Sequence, residues 1–252
     1  MEQQPIIEAR GLDVAYDDAL VLQNADCSIY PGEITCVVGG SGSGKTTLLK
    51  TFFGLIPAAG GDIHLFGRQL GSLGEAEYDS TLLRLGVLFQ NGALLNSLTV
   101  FENISVPLEQ HTRLPRAVIR RMIEVKLSLV NLAGVEDLYP AELSGGMKKR
   151  AALARAIALD PEIVFLDEPS AGLDPENVVA LDRLMISLRD RLSVTLVVVT
   201  HELDSIRRIA DRIVFVHEGA VLFEGTLAEA EDADIAPLAA FLDPGLQGHG
   251  CD

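Results

Sequence analysis

The segment Gly39-Gly40-Ser41-Gly42-Ser43-Gly44-Lys45-Thr46, continued by Thr47, fits the pattern G-x-x-x-x-G-K-[ST]. Phosphate oxygens need several converging donors. Glycine-rich backbone can curl its N–H groups into a nest, and where the loop opens a helix the macrodipole adds positive potential. Such a loop holds a nucleoside triphosphate, with Lys45 reaching the β and γ phosphates and the Thr46 hydroxyl ligating Mg²⁺. A second group, Asp167-Glu168, ends the apolar run IVFL at residues 163–166. Adjacent acids at the C-terminal end of a buried strand lie where α/β sheets bind ligands. Asp167 could hold Mg²⁺ through its water shell, and Glu168 could accept a proton from, or polarise, the water attacking a γ-phosphate. The plainer reading of the pair is a solvated acidic turn before Pro169.

Both groups need positioning elements, and the pattern supplies them. The apolar run ITCVV (34–38) precedes the glycine loop and TTLLKTFF (46–53) follows it, so the spacing predicts strand, loop and helix, stopped by Gly54 and Pro57. Runs rich in β-branched residues predict strands at 6–16 and 21–29, punctuated by Asp17-Asp18 and Pro31-Gly32. Residues 63–66 and 86–89 also read as extended. From 100 to 159 no strand pattern occurs, and apolar residues recur with helical period over 117–132 and 145–159. A helical subdomain of about 91–159 is therefore expected. Beyond it, 163–167, a helix over 175–191 and the apolar run 193–200 restore strand and helix alternation, while 212–217 and 220–224 flank Glu218-Gly219 as a hairpin. The expected fold is α/β, with a mostly parallel core sheet, an antiparallel N-terminal β part and the helical insertion. Residues 1–230 form one domain and 231–252 a poorly ordered tail.

Composition narrows the function classes. With 252 residues of which 48% are hydrophobic, a disordered chain is excluded. The 36 acidic and 20 basic residues give a formal net charge of -16, which disfavours a nonspecific nucleic-acid binder; a polyanion must be met by a local device such as the glycine loop. Cys27, Cys36 and Cys251 form no C-x-x-C pair, so neither a disulfide framework nor a zinc site is expected, and a reducing compartment is. The N-terminus shows no basic region before an apolar core, and the apolar runs are too short to cross a bilayer, which predicts a soluble, cytoplasmic chain. Arg113, Arg116, Arg120, Arg121 and Lys126 fall on a predicted helix and read as a solvated face, with a lipid-headgroup or partner-facing role as the alternative.

A further set of motifs carries a family likeness. Leu143-Ser144-Gly145-Gly146-Met147 resembles the signature of ABC ATPases, and Ser170-Ala171-Gly172-Leu173-Asp174 is similar to their D-loop, which implies Asp174 among the nucleotide-binding residues. Ser144, Gly145 and Gly146 open a predicted helix and so offer hydroxyl and backbone donors for a second phosphate contact. The resemblance covers nearly the whole chain and implies a P-loop NTPase fold that takes ATP and Mg²⁺. It further implies Gln90 as a Q-loop ligand of Mg²⁺ and water, His201 as a γ-phosphate sensor and Tyr16 as an adenine platform. It also implies a homodimer in which each ATP is sandwiched between one subunit's glycine loop and the other's signature, with separate transmembrane permease subunits. Met147 stands where the family usually has glutamine, and together with NGALLNSLTVFENISVPL (91–108) it resembles the ATPases of Mla/Mce-type lipid transporters. That likeness implies phospholipid transport between inner and outer membranes, from a peripheral position on the cytoplasmic face of the inner membrane. An Mce-domain lipid-binding protein and a small regulatory subunit would be partners, and nucleic acid would not. The alternatives are the ATPase of a small-solute importer and a nucleotide-dependent regulatory module.

Overall fold

Apolar and polar residues alternate through the start of the chain. In the computed structural model, which describes residues 3–16, 19–90 and 92–243, they form two antiparallel strands, β1 (Ile7–Tyr16) and β2 (Ala19–Ile29). Residues 17 and 18, read above as a turn, lie outside the described set. The covered face of β1 switches from Ile7 and Ala9 to Leu12 and Val14 across a bulge at Gly11, whose φ is 55° and whose N–H donates to Asp26. One extra residue inverts the period-two pattern, so the switch of parity is the bulge made visible in the sequence.

Next come β3 (Ile34–Val38), buried throughout, α1 (Lys45–Phe52), β4 (Gly60–Leu65), the short β5 (Arg68–Gln69) and α2 (Glu75–Leu82). Strands in the order β2-β1-β4-β5 make an antiparallel sheet. The chain continues through β6 (Leu85–Leu88), α3 (Val100–His111), α4 (Arg116–Leu129), α5 (Gly145–Ala156), β7 (Ile163–Asp167) and α6 (Pro175–Leu192). Then β8 (Thr195–Val199) leads to α7 (Leu203–Ile209), β9 (Arg212–His217), β10 (Ala220–Gly225), α8 (Leu227–Asp232) and α9 (Ala236–Leu242).

Two units result. The first gathers the described residues up to Tyr78 with those from Val197; the second is Asp79–Leu196. In the first, β3 runs parallel to β9, and β9 and β10 form a hairpin about Glu218 and Gly219, both at positive φ as a tight two-residue turn requires. In the second, β6 runs parallel to β7, and α3, α4 and α5 pack on one another through Ile104, Leu108, Ile119, Ile123, Leu127 and Leu153. Helix α3 falls within the expected helical subdomain, ahead of the two stretches whose apolar period marks them. It is set by a capping box in which Thr99 accepts from the Glu102 N–H while Glu102 accepts from the Thr99 N–H.

Two expectations change. Lys126 is not part of a solvated face: it is buried and paired with Asp160, while Arg121 pairs with Glu124 at the surface and Arg120 lies 4.8 Å from the centre of the Phe101 ring. Its position on α4 alternates with Ile123 and Leu127 on the packed stripe, so its stem is covered and a carboxylate must meet its charge. The expected tail also folds in part. The segment APLAAFL forms α9, burying Leu238 and Leu242 and setting Phe241 5.6 Å from Phe215, because three apolar side chains at helical spacing have a strand to cover. Residues 244–252, Cys251 included, lie outside the described set. Among the described residues no helix is long and apolar enough to cross a membrane.

Candidate functional site

In the first unit β3 delivers the chain into the glycine loop, which the neighbouring elements hold tightly. Gly39 has φ 145°, and a Cβ there would lie 2.0 Å from the Val216 carbonyl oxygen. At Gly44, φ 108°, a Cβ would lie 2.7 Å from Leu22 on β2. No L side chain fits either position. The tip of the β9–β10 hairpin fastens the loop from outside: the Gly219 N–H donates to the Ser43 carbonyl at 3.1 Å, and the Gly219 carbonyl accepts from the Gln23 N–H at 2.8 Å. From inside, Lys45 Nζ donates to the Gly40 carbonyl at 2.6 Å. Lys45 is only 8% exposed, so its ammonium is already aimed across the loop it must serve.

The cradle fits a phosphate chain. A cleft of about 270 Å³ is lined by Val21, Gly42, Gly44, Lys45, Thr46 and Thr47. In the same loop the Ser43 hydroxyl is buried without a hydrogen-bond partner, a costly state for a polar group. Helix α1 has no acidic residue in its first turn, so its positive end is not neutralised from within. His201 follows Thr200, whose N–H donates to the Val37 carbonyl at 3.3 Å, so it leaves β8 beside the end of β3. Its side chain is exposed. Tyr16, 47% exposed, ends β1 opposite Ala19, on the hairpin whose second strand contributes Val21 to the cleft.

In the second unit β7 is buried throughout and ends at Asp167, which is 7% exposed. Glu168 has φ 47° directly before Pro169, a left-handed conformation that a side-chain-bearing residue adopts only when its surroundings hold it. Its carbonyl accepts from the Ala171 N–H at 3.2 Å and from Lys149 Nζ at 3.5 Å. Lys149 also donates to the Gln90 carbonyl, while the Gln90 side chain is exposed. Burial draws the Lys149 ammonium below the ordinary lysine range, and the carboxylates of Glu168 and Asp167 oppose that shift.

The signature segment opens α5. Ser144 is exposed and caps the helix by accepting from the Met147 N–H at 3.3 Å, which leaves its O–H proton to donate outward. Helix α5, too, has no acidic residue in its first turn. A Cβ on Gly146 would lie 2.9 Å from Asn177 Oδ1, so the signature turn rests against the start of α6. There Asp174 accepts from the Asn177 side-chain amide at 2.6 Å and from its N–H at 3.0 Å, and these bonds hold the Asp174 carboxyl below the usual carboxylate range. The carboxylate is thus engaged in shaping the turn.

Residues 22–171 match the ABC transporter family. The chain belongs to that family. The intermembrane phospholipid transport system ATP-binding protein MlaF of Haemophilus influenzae is 39% identical over 223 residues, which cover 88% of this chain and 84% of the relative. MlaF of Escherichia coli K12 is 36% identical over 239 residues, 94% of this chain and 88% of the relative. Among solved structures, a dimeric ATP-binding cassette in a post-hydrolysis state with ADP and Pi superposes with a TM-score of 0.80 at 28% identity, over 88% of this chain and 98% of that one. The protein is an ABC-type ATPase.

Within this cassette the structure gathers residues 39–47, Tyr16 and His201 on the first unit, and Gln90, Asp167, Glu168, residues 144–146 and Asp174 on the second. Motif reading missed Lys149 and Asn177. A signal for Lys149 was present: it lies three residues after Gly146, on the same helix face as a glycine that packs closely. Nothing in the local sequence marks Asn177.

Proposed function

We propose that this ABC cassette works as a homodimer that binds and hydrolyses MgATP to power phospholipid transport between inner and outer membranes. Supporting the lipid reading is the kinship with two intermembrane phospholipid transport ATPases along most of their length. Residues 39–47 take the phosphates, with Lys45 on the β and γ groups, Tyr16 carries the adenine, and Ser144, Gly145 and Gly146 meet the nucleotide of the opposite subunit. Thr46, Gln90 and Asp167 hold Mg²⁺. All three offer the hard oxygen donors that Mg²⁺ takes. When bound, Mg²⁺ neutralises charge on the β and γ phosphates. Glu168 polarises the attacking water, His201 senses the γ-phosphate, and Asp174 shapes the turn beside the signature.

Residues 1–230 form the ATPase domain, with 91–159 as the helical subdomain that faces the permease. Separate transmembrane permease subunits carry the lipid path, so the cassette sits peripherally on the cytoplasmic face of the inner membrane. An Mce-domain lipid-binding protein and a small regulatory subunit complete the assembly. Deleting the chain from its host is expected to weaken the outer-membrane barrier to detergent; an intact barrier with loss of one solute's uptake would assign the small-solute importer instead.

The dimer makes a separate prediction. Ser144→Arg is expected to abolish turnover while the isolated chain still binds ATP, because the lost contact belongs to the partner's nucleotide. Mixed with Lys45→Ala, it creates one composite site with an intact glycine loop and an intact signature. The heterodimer should therefore hydrolyse faster than either homodimer, and equal rates would remove the composite arrangement.

A further inference from the structure

We infer that Lys149 is a positioning residue that ties the Gln90 backbone to the Glu168 backbone, so that the signature helix, the glutamine loop and the catalytic carboxylate shift together. The inference rests on the ATPase reading and goes beyond it. Lys149 is buried on α5, and its ammonium bridges two carbonyls that lie 59 and 19 residues away in sequence. An ammonium has three donors and no acceptor, so a single side chain can join both strand ends to the helix that Ser144 opens.

The rest of the glutamine loop is fastened the same way. Arg155, farther along α5, donates to the Ala93 carbonyl at 2.8 Å and the Gly92 carbonyl at 3.1 Å. Asn103 of α3, 1% exposed, accepts from the Leu95 N–H and donates to the carbonyls of Leu95, Leu98 and Thr99. Side chains of two helices therefore set the loop's backbone, while the Gln90 side chain stays exposed. At the other end of the bridge Glu168 sits at φ 47°, and Lys149 donates to its carbonyl alongside the Ala171 N–H. A displacement of α5 thus reaches Gln90 and Glu168 through one ammonium, with no change in the residues that touch the nucleotide's phosphates at the glycine loop.

The test is steady-state ATP hydrolysis by the full-length wild type, Lys149→Met, Lys149→Arg, Gln90→Ala and the Lys149→Met/Gln90→Ala double variant, with MgATP affinity and thermal unfolding measured on each. A misplacement of ~1 Å costs about 100-fold in turnover. Lys149→Met is therefore expected to lower kcat by ~10- to 100-fold with KM for ATP nearly unchanged, and Lys149→Arg, which keeps charge and donors, to retain most of the wild-type kcat. The double variant should lose much less than the product of the two single losses, because Lys149 acts in part by placing the Gln90 side chain, which the alanine has already removed. Should Lys149→Met fail to fold, Lys149→Gln replaces it, with the same kcat loss expected. Unchanged kcat in a folded Lys149→Met or Lys149→Gln chain, a loss carried entirely by KM, an arginine variant as slow as methionine, or multiplicative losses would each overturn the inference. A wild type that hydrolyses no ATP overturns the ATPase reading itself.

Discussion

Lys45→Ala is expected to weaken MgATP binding by ~10- to 100-fold, the range set by losing a hydrogen bond to a charged group worth about 1.5–3 kcal/mol. The nest of N–H groups survives the change, since Gly39, Gly42 and Gly44 keep their backbone geometry and the β9–β10 hairpin still holds Ser43. Among the described residues lining the cleft, Lys45 alone carries a side-chain charge, and that charge disappears. With a chain of net charge -16 around it, a triphosphate has little else to offset its own charge at that point. The ammonium also closes the loop through the Gly40 carbonyl, so a small loss of rigidity in residues 40–45 accompanies the lost contact. Equilibrium titration with MgATP measures the effect, and a thermal melt confirms that the variant is folded. Wild-type affinity in a folded variant would falsify the role given to Lys45.

Glu168→Gln is expected to keep ATP and accumulate the closed dimer while turnover falls by about 100-fold or more, within the usual range for removing a positioned general base. The amide preserves the shape of the side chain, and the backbone that presents it is held through its carbonyl by Ala171 and Lys149. Binding and catalysis should therefore separate. Size-exclusion chromatography with and without MgATP reports the dimer, and phosphate release reports the chemistry. Hydrolysis at the wild-type rate would show that water activation lies elsewhere, and loss of ATP binding would show that Glu168 has a structural task instead.

The residues of these two predictions were legible in the chain because their chemistry is local. A nest of backbone donors is built from neighbouring residues, so its glycines, lysine and threonine must be contiguous, between a strand and a helix that announce themselves by apolar period. The same holds for Asp167 and Glu168 at the end of IVFL, and for Ser144 as the cap of α5. Strand and helix alternation likewise made a mostly parallel core sheet legible, since strands buried throughout, such as β3, β7 and β8, are continuous apolar runs, but which strands pair was not.

Other features depend on which surfaces meet, and no local pattern encodes that. Lys126 carries the residue type of a solvated face, yet the packing of α4 covers its stem and leaves Asp160 as its counter-charge. The segment 236–242 is too short, at seven residues, to declare a helical period, and becomes a helix because Phe215 is there to be covered. Lys149 meets Gln90 and Glu168, and Asn177 meets Gly146, only because α5 lies against the ends of two strands and the start of another helix. The residues proposed to bind and cleave are thus set by the sequence. The side chains that hold those residues in register were decided by tertiary packing, because a contact between distant segments exists only once their elements have docked.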